Sequence, residues 1–380
     1  MAGYVFNLTD KNSLYKCINE GMYSTIINLP KNEIWRTQHE ATFGDYITMK
    51  EGDKVFFFHK RKVYGIGELI AIKYDCKLLN FPGADLPFEQ DFKDIEDSMI
   101  MNESEDNLRN RVICTFKAQP KFFKHGIDMD EILTYKPDTF KMLRAFWKVT
   151  FIKLDDVETK SLSDIILKNN EAQLDLNDQI PMDAFTDTHE KIKNTVTKDY
   201  LLHSNKILQL YANPNGSLRH EMAIELGILD LITNNNSVFG KWDYLSHQVI
   251  ASPFKPIDYM DKMDIYGYRY IHNFDTISKY LIIEIKKDTA NTNDLNQLMK
   301  YVDWVNQEES FGDYNMIEAF LVAYDFTDNL IENYKNIAQR HYTKSRRPPI
   351  SMEWSNIRLI TYKFNHDSKQ LEFFEVLSEE

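Results

Sequence analysis

Glu284 and Lys286 stand two residues apart in the run KYLIIEIKKDTAN, residues 279–291. Leu281, Ile283 and Ile285 alternate with Ile282, Glu284 and Lys286, and this period of two predicts a strand. A strand so apolar is expected to be buried on both faces, where a carboxylate and an ammonium each cost several kcal/mol unless paired or ligated. The spacing sets both charges on one face. A divalent metal that hydrolyses a phosphodiester needs carboxylates to hold it and a cation or base to position the attacking water. Asp264, in MDIYG at the start of a predicted strand, lies twenty residues before Glu284. The two are expected on neighbouring strands of a hairpin-like pair, where both carboxylates could reach one Mg²⁺. Lys286 would orient the metal water and stabilise developing charge. Glu221, on a helix expected over 218–229, adds a further carboxylate, and the same helix offers Glu225 as well. Taken singly, an E-x-K pair is an ordinary strand-end ion pair of little worth. The ordered set is the specific signal.

That set resembles the PD-(D/E)xK nuclease superfamily over roughly residues 200–330: helix Glu221, MDIYG with Asp264, then IIEIKK with Glu284 and Lys286. In the following helix, Gln297 and Tyr301 of QLMKY match the Gln-x3-Tyr pattern of RecB-type and mismatch-type members. Asp264 lacks the preceding Pro common in the superfamily. The resemblance implies a Mg²⁺- or Mn²⁺-dependent endodeoxyribonuclease. Asp264, Glu284 and the Ile285 carbonyl would hold the ion and Lys286 the water. Glu221 would support the metal or its water shell, with Gln297 and Tyr301 bracing the site.

The elements that must position these groups follow in α/β order: helix, strands, helix, strand, helix, strand. Helices are expected over 198–211, over 218–229, over 294–308 (DLNQLMKYVDWVNQE) and over 329–342, with strands near 247–251, at 262–271, 280–286, 319–326 and 355–365. Arg340, Lys344, Arg346 and Arg347, before Pro348-Pro349, form a basic run that could contact a phosphate backbone or stand as a solvated loop. The expected domains are residues 1–155, an acidic and partly helical linker over 156–197, and a nuclease domain over 198–380.

The first domain is short on acid–base chemistry but carries Tyr23, Trp35, Phe43 and Tyr46 near turns, rings that could stack on an unstacked base or serve as core. YVFNL reads as a strand, Asp10 as a helix start and Gly21 as its stop, and EGDKVFFFHKRKVYGIGELIAI as a hairpin with a basic tip at 60–62. YVFNLTDKNSLYKCINEGMYST resembles the opening of a YTH/EVE domain of the PUA-like fold. The stretch from Trp35 through GDKVFFF to GIGEL is similar to the continuation of EVE domains. The resemblance implies an N-terminal β-barrel that reads a modified base in an aromatic cage, with Tyr23 and Trp35 as two walls. The fold class expected for the whole is α/β (α+β), this barrel followed by a restriction-endonuclease-like mixed sheet flanked by helices.

Charge sets few limits on partners. The net charge is −13, yet residues 81–110 hold 9 acids against 2 bases and residues 154–200 hold 11 against 5. Residues 1–80 and 111–153 are together net positive by 7, which leaves room for a basic binding face. Three scattered cysteines make neither a disulfide framework nor a zinc motif. No histidine spacing suggests a metal site, and GIG at 65–67 falls inside a hairpin strand, where it cannot cradle a phosphate. MAGYVFNLTD has no basic-then-apolar leader, and the apolar runs are strand-sized, so a cytoplasmic protein without a membrane partner is expected. The combined expectation is a restriction endonuclease that recognises modified double-stranded DNA, as in defence against phage. A homodimer would let it cut both strands. The alternatives are a mismatch- or structure-specific repair nuclease, and a non-catalytic nucleic-acid-binding protein over an inactive nuclease fold.

Overall fold

The computed structural model describes residues 1–27, 37–81, 92–101, 111–145, 151–197, 200–234, 238–251 and 261–376. The chain is mixed α/β and divides into two units, Met1–Pro30 with Asp45–Leu202 and Lys31–Gly44 with His203–Glu380. Among the described residues no helix is long and apolar enough to cross a membrane.

The first unit is built on β1 (Gly3–Asn7), β2 (Met22–Ile26), β3 (Lys54–His59), β4 (Lys62–Leu69), β5 (Lys77–Leu79), β6 (Arg111–Ala118), β7 (Ile127–Asp128) and β8 (Phe151–Leu154). The strand order is β2-β6-β4-β3-β1-β8, with β5 on β6 and β7 on β4. Among the described residues of this unit only β1 and β3 pair in parallel. Its helices are α1 (Lys11–Glu20), α2 (Thr37–Ile47, divided between the units after Gly44), α3 (Phe92–Ile95), α4 (Met129–Tyr135), α5 (Met142–Ala145), α6 (Asp156–Asn169) and α7 (Phe185–Thr195). The sequence signals for α1 operate as expected: the Asp10 carboxylate caps the Ser13 N–H, and Gly21 ends the helix at φ 61°.

The stretch 156–197 is not a linker. A capping box between Asp155 and Glu158 starts α6, and Leu162, Ile165 and Ile166 enter the same core as Val5, Phe56 and Ile152. The acids that suggested a linker, among them Glu171, Asp175, Asp183, Asp187 and Glu190, are exposed on this packed segment. Composition reported the solvent face, while Leu162, Ile165 and Ile166 lie at helical spacing on the buried side.

The second unit carries α8 (Asn205–Tyr211), α9 (Glu221–Asn234), α10 (Thr292–Glu308) and α11 (Asp328–Ala338). Its strands are β9 (Tyr244–Ile250), β10 (Lys262–Tyr270), β11 (Ile277–Ala290), β12 (Ile317–Phe326), β13 (Arg340–Arg346), β14 (Pro349–Trp354), β15 (Ile357–Asn365) and β16 (Gln370–Glu375). Six of them form one sheet in the order β16-β15-β12-β11-β10-β9, parallel from β11 through β12 to β15 and antiparallel on both flanks. β11 is central, and Leu281, Ile282, Ile283 and Ile285 are all fully buried. Each such side chain contributes about 1.5–3 kcal/mol relative to exposure.

Two expected boundaries move. The helix expected from 198 begins only at Asn205, because the Ser204 N–H and hydroxyl both donate to the Asp230 carboxylate of α9 at 2.7 Å. The helix expected to 342 stops at Ala338, and the basic run that follows is the hairpin β13–β14. In α9 the interior Gly227 is a packing requirement: a Cβ there would overlap Leu371 Cδ1 and lie 3.2 Å from Leu208 Cδ1. Gly227→Ala is therefore expected to destabilise the unit by about 1–3 kcal/mol despite its better helix propensity, read as a lower urea midpoint.

Candidate active site

The pair of β10 and β11 places the two strand carboxylates together. Ile265 pairs with Ile283, and the Ile285 N–H donates to Asp264 Oδ2 at 2.7 Å. Glu284 is 1% exposed, and its Oε1 accepts from Lys286 Nζ at 2.6 Å. The other oxygen, Oε2, is buried with no hydrogen-bond partner among the described residues. Just past Lys286 the β11–β12 register shifts. The Tyr362 hydroxyl of β15 accepts from Leu218 N–H and donates to the Lys287 carbonyl at 2.7 Å, bracing that irregularity.

Both helix candidates reach the site differently. Glu225 is buried, accepts from Gln248 Nε2 at 2.9 Å and has His247 Nδ1 3.5 Å from its Oε2. The same Gln248 amide lies 3.4 Å from Asp264 Oδ1. Glu221 is exposed at the start of α9, and its Oε1 accepts from the Lys287 N–H at 3.4 Å. Glu225 thus stands on the Asp264 side and Glu221 on the Glu284 side.

The electrostatics are those of crowded acids. Burial pushes the Asp264 carboxyl well above its usual range, and the charges of Glu284 and Glu225 push it further. Burial likewise raises Glu284 to about 7, against the pull of the Lys286 ammonium. Burial also raises Glu225, opposed by His247 and Gln248. Desolvation works against the Lys286 charge, but Glu284, Asp264 and Glu221 outweigh it and its pKa rises, so the side chain is held as a cation. On α10, Gln297 Nε2 donates to the Tyr301 hydroxyl at 3.0 Å. Burial first, then the carboxylates of Glu284 and Asp264, push that phenol up to about 12, which keeps it protonated.

The donor set fits a hard divalent cation. All donors are oxygens, two of the carboxylates repel each other, and the buried Oε2 atoms of Glu284 and Glu225 have no hydrogen-bond partner among the described residues. Among the described residues no group of three or more His, Cys, Asp and Glu side chains is placed to hold a metal ion.

The remaining expected residues lie elsewhere. Tyr23 does not offer a wall to a base: it is 3% exposed, and its ring stacks on Phe6 at 3.9 Å between centroids, edge-on to Phe57. The reason is register, since β2 sets Tyr23 opposite Cys114 on the inner face of the sheet. Trp35 lies outside the described residues. Arg340 is engaged by Asp303 of α10 in a two-pronged pair at 2.8 and 3.1 Å, which commits it to holding the hairpin base. Lys344 and Arg347 are exposed on β13 and its turn, while Arg346 pairs with Pro349 at the end of β13. Sequence reasoning missed Gln248, His247 and Tyr362. A glutamine, a histidine and a tyrosine in strands carry no spacing signal, and only the fold brings them to the acids.

No family model matches the chain, nor does any curated protein. Among solved structures, the EndoMS–dsDNA complex is similar at 20% identity and TM-score 0.16, covering 20% of this chain and 28% of that one. A repair endonuclease from Pyrococcus abyssi is similar at 21% identity and TM-score 0.21, covering 30% and 42%. A hypothetical protein from Leishmania major is similar at 14% identity and TM-score 0.26, covering 46% and 96%. The chain spans less than half the length of the first two. Such partial likenesses decide no activity, and the reading of the site rests on its own geometry.

Proposed function

We propose that the second unit is a divalent-metal-dependent endodeoxyribonuclease of the PD-(D/E)xK type. The observation that carries the reading is the mutually repelling pair of half-buried Asp264 and fully buried Glu284, with the Lys286 ammonium at 2.6 Å from Glu284. Two acids crowded in this way with one ammonium beside Glu284 leave negative charge uncompensated, and a bound cation would supply the balance. Asp264, Glu284 and the Ile285 carbonyl would hold Mg²⁺ or Mn²⁺, with Glu225 or Glu221 reaching its water shell. Such an ion polarises a phosphodiester and acidifies a water at neutral pH. Lys286 holds its positive charge beside Glu284, orients the attacking water and offsets charge on the phosphate oxygens. Tyr301 stays protonated and, held by Gln297, can donate a hydrogen bond toward the acids or the backbone.

For the first unit we propose a PUA-like substrate reader acting on modified DNA, as in restriction of foreign genomes. This extends the resemblance of residues 1–155 and leaves Tyr23 in the core as part of the scaffold. Digestion of phage genomes carrying different cytosine and adenine modifications, beside plain and mismatched duplexes and with Mg²⁺ or Mn²⁺, tests both parts. Cleavage of a modified genome alone is expected. Cleavage of mismatched or branched duplexes alone would favour the repair alternative, and no cleavage of any duplex would overturn the nuclease reading. The exposed Lys344 and Arg347 are proposed as phosphate contacts. Replacing both by Ala is expected to lower the salt slope of DNA binding by about one per lost contact. Arg340→Ala, whose side chain is occupied by Asp303, is expected to act through the hairpin's stability instead.

A further inference from the structure

We propose that Gln248 is a positioning residue that fixes Asp264 against Glu225, and that its backbone is held in a left-handed conformation for that purpose. The inference rests on the nuclease reading above. β9 and β10 pair Met263 with Val249 and Ile265 with His247, so the register is the same on both sides of Asp264 and no residue is inserted. Gln248 faces Asp264 across this gap in the ladder. In a regular strand, successive side chains point to opposite faces. His247 and Gln248 break that rule, since both approach the carboxylate of Glu225, at 3.5 and 2.9 Å.

The break has a local cause. Gln248 has φ 52°, a region that costs a residue with a Cβ free energy and that Gly or Asn occupies more cheaply. The torsion turns the amide toward α9, where its NH₂ group donates 2.9 Å to Glu225 and lies 3.4 Å from Asp264. One donor group thereby spans a helix carboxylate and a strand carboxylate that otherwise repel each other. The strained backbone aims the amide at two defined targets, the carboxylates of Glu225 and Asp264.

The test is Gln248→Gly, which removes the amide and relieves the backbone together. Melting in EDTA is expected close to the parent temperature, because relief of the strain at φ 52° offsets the lost amide bond to buried Glu225. Mn²⁺ binding by calorimetry is expected to weaken by about 10-fold or more, the scale for losing a partner that orients metal ligands. DNA cleavage is expected to fall by a similar factor. A purely structural role would lower stability together with binding, so weaker binding without a lower melting temperature supports the proposal. Parent-like Mn²⁺ affinity and cleavage in Gln248→Gly overturn it while leaving the nuclease reading intact. A parent protein that neither binds Mn²⁺ nor cuts DNA overturns the nuclease reading and this inference with it.

Discussion

Lys286→Ala is expected to abolish cleavage in practical terms, by about 10²–10³-fold, the scale for removing one preorganised group that stabilises transition-state charge. The same change should show a pH signature in stability. Glu284 is raised to about 7 in the folded chain, above its ordinary 4.5. An acid raised on folding contributes its full stability below the unfolded value and loses it as pH climbs through the folded one. Lys286 limits that loss by sitting 2.6 Å from Glu284 Oε1. Without the ammonium the folded value moves higher, so the variant and parent should melt alike near pH 4 and diverge toward pH 8. Thermal melts across that range, beside a cleavage assay at one pH, check both halves. Equal melting at every pH would mean that the two side chains are not coupled as the geometry states.

Asp264→Asn carries the second large effect, and it has opposite signs. Cleavage should vanish, because an amide is a weak metal ligand and the ion would lose one of its two strand carboxylates. Stability without metal should rise, by about 0.5–2 kcal/mol, the usual gain when strain at a functional site is relieved. The cause is explicit: Asp264 is pushed up by burial and by the charges of Glu284 and Glu225. Its carboxylate form therefore opposes folding increasingly as pH rises above the unfolded 3.8, while Asn keeps the acceptor for the Ile285 N–H and carries no charge. Mg²⁺ should narrow the gap, since an ion that binds only the folded parent stabilises it by mass action. Denaturant midpoints with EDTA and with Mg²⁺ measure each contribution.

The acids of the site could be read from the chain because their chemistry is local to two strands. A period of two set Glu284 and Lys286 on one face, the twenty-residue separation suggested a hairpin-like pair with MDIYG, and the register of that pair brings Asp264 to the Ile285 N–H. The choice between Glu221 and Glu225 could not be read, since they are four apart on one helix and both approach the strand acids. Gln248 was invisible because its role depends on one backbone torsion. In the first unit, an aromatic before Ser-Thr looked like a cage wall, but β2 turns Tyr23 inward, where ring burial outweighs exposure to a ligand. The acidic stretch 156–197 misled for a related reason. Overall charge records what water touches, and it hid the few apolar positions that anchor α6.

One contact ties the working of the centre to the order in which the chain is made. Tyr362, on β15, clasps both the loop before α9, through Leu218, and the turn of β11 just beyond Lys286. Its hydroxyl lies 75 residues downstream of the carbonyl that it holds. A nascent chain carrying all of the acids but not yet β15 would have an unbraced Lys287, and β12 would still lack the parallel neighbour that β15 provides. On the proposed nuclease reading, the cutting residues would therefore be made before the strand that completes their setting, a delay between having them and holding them in place.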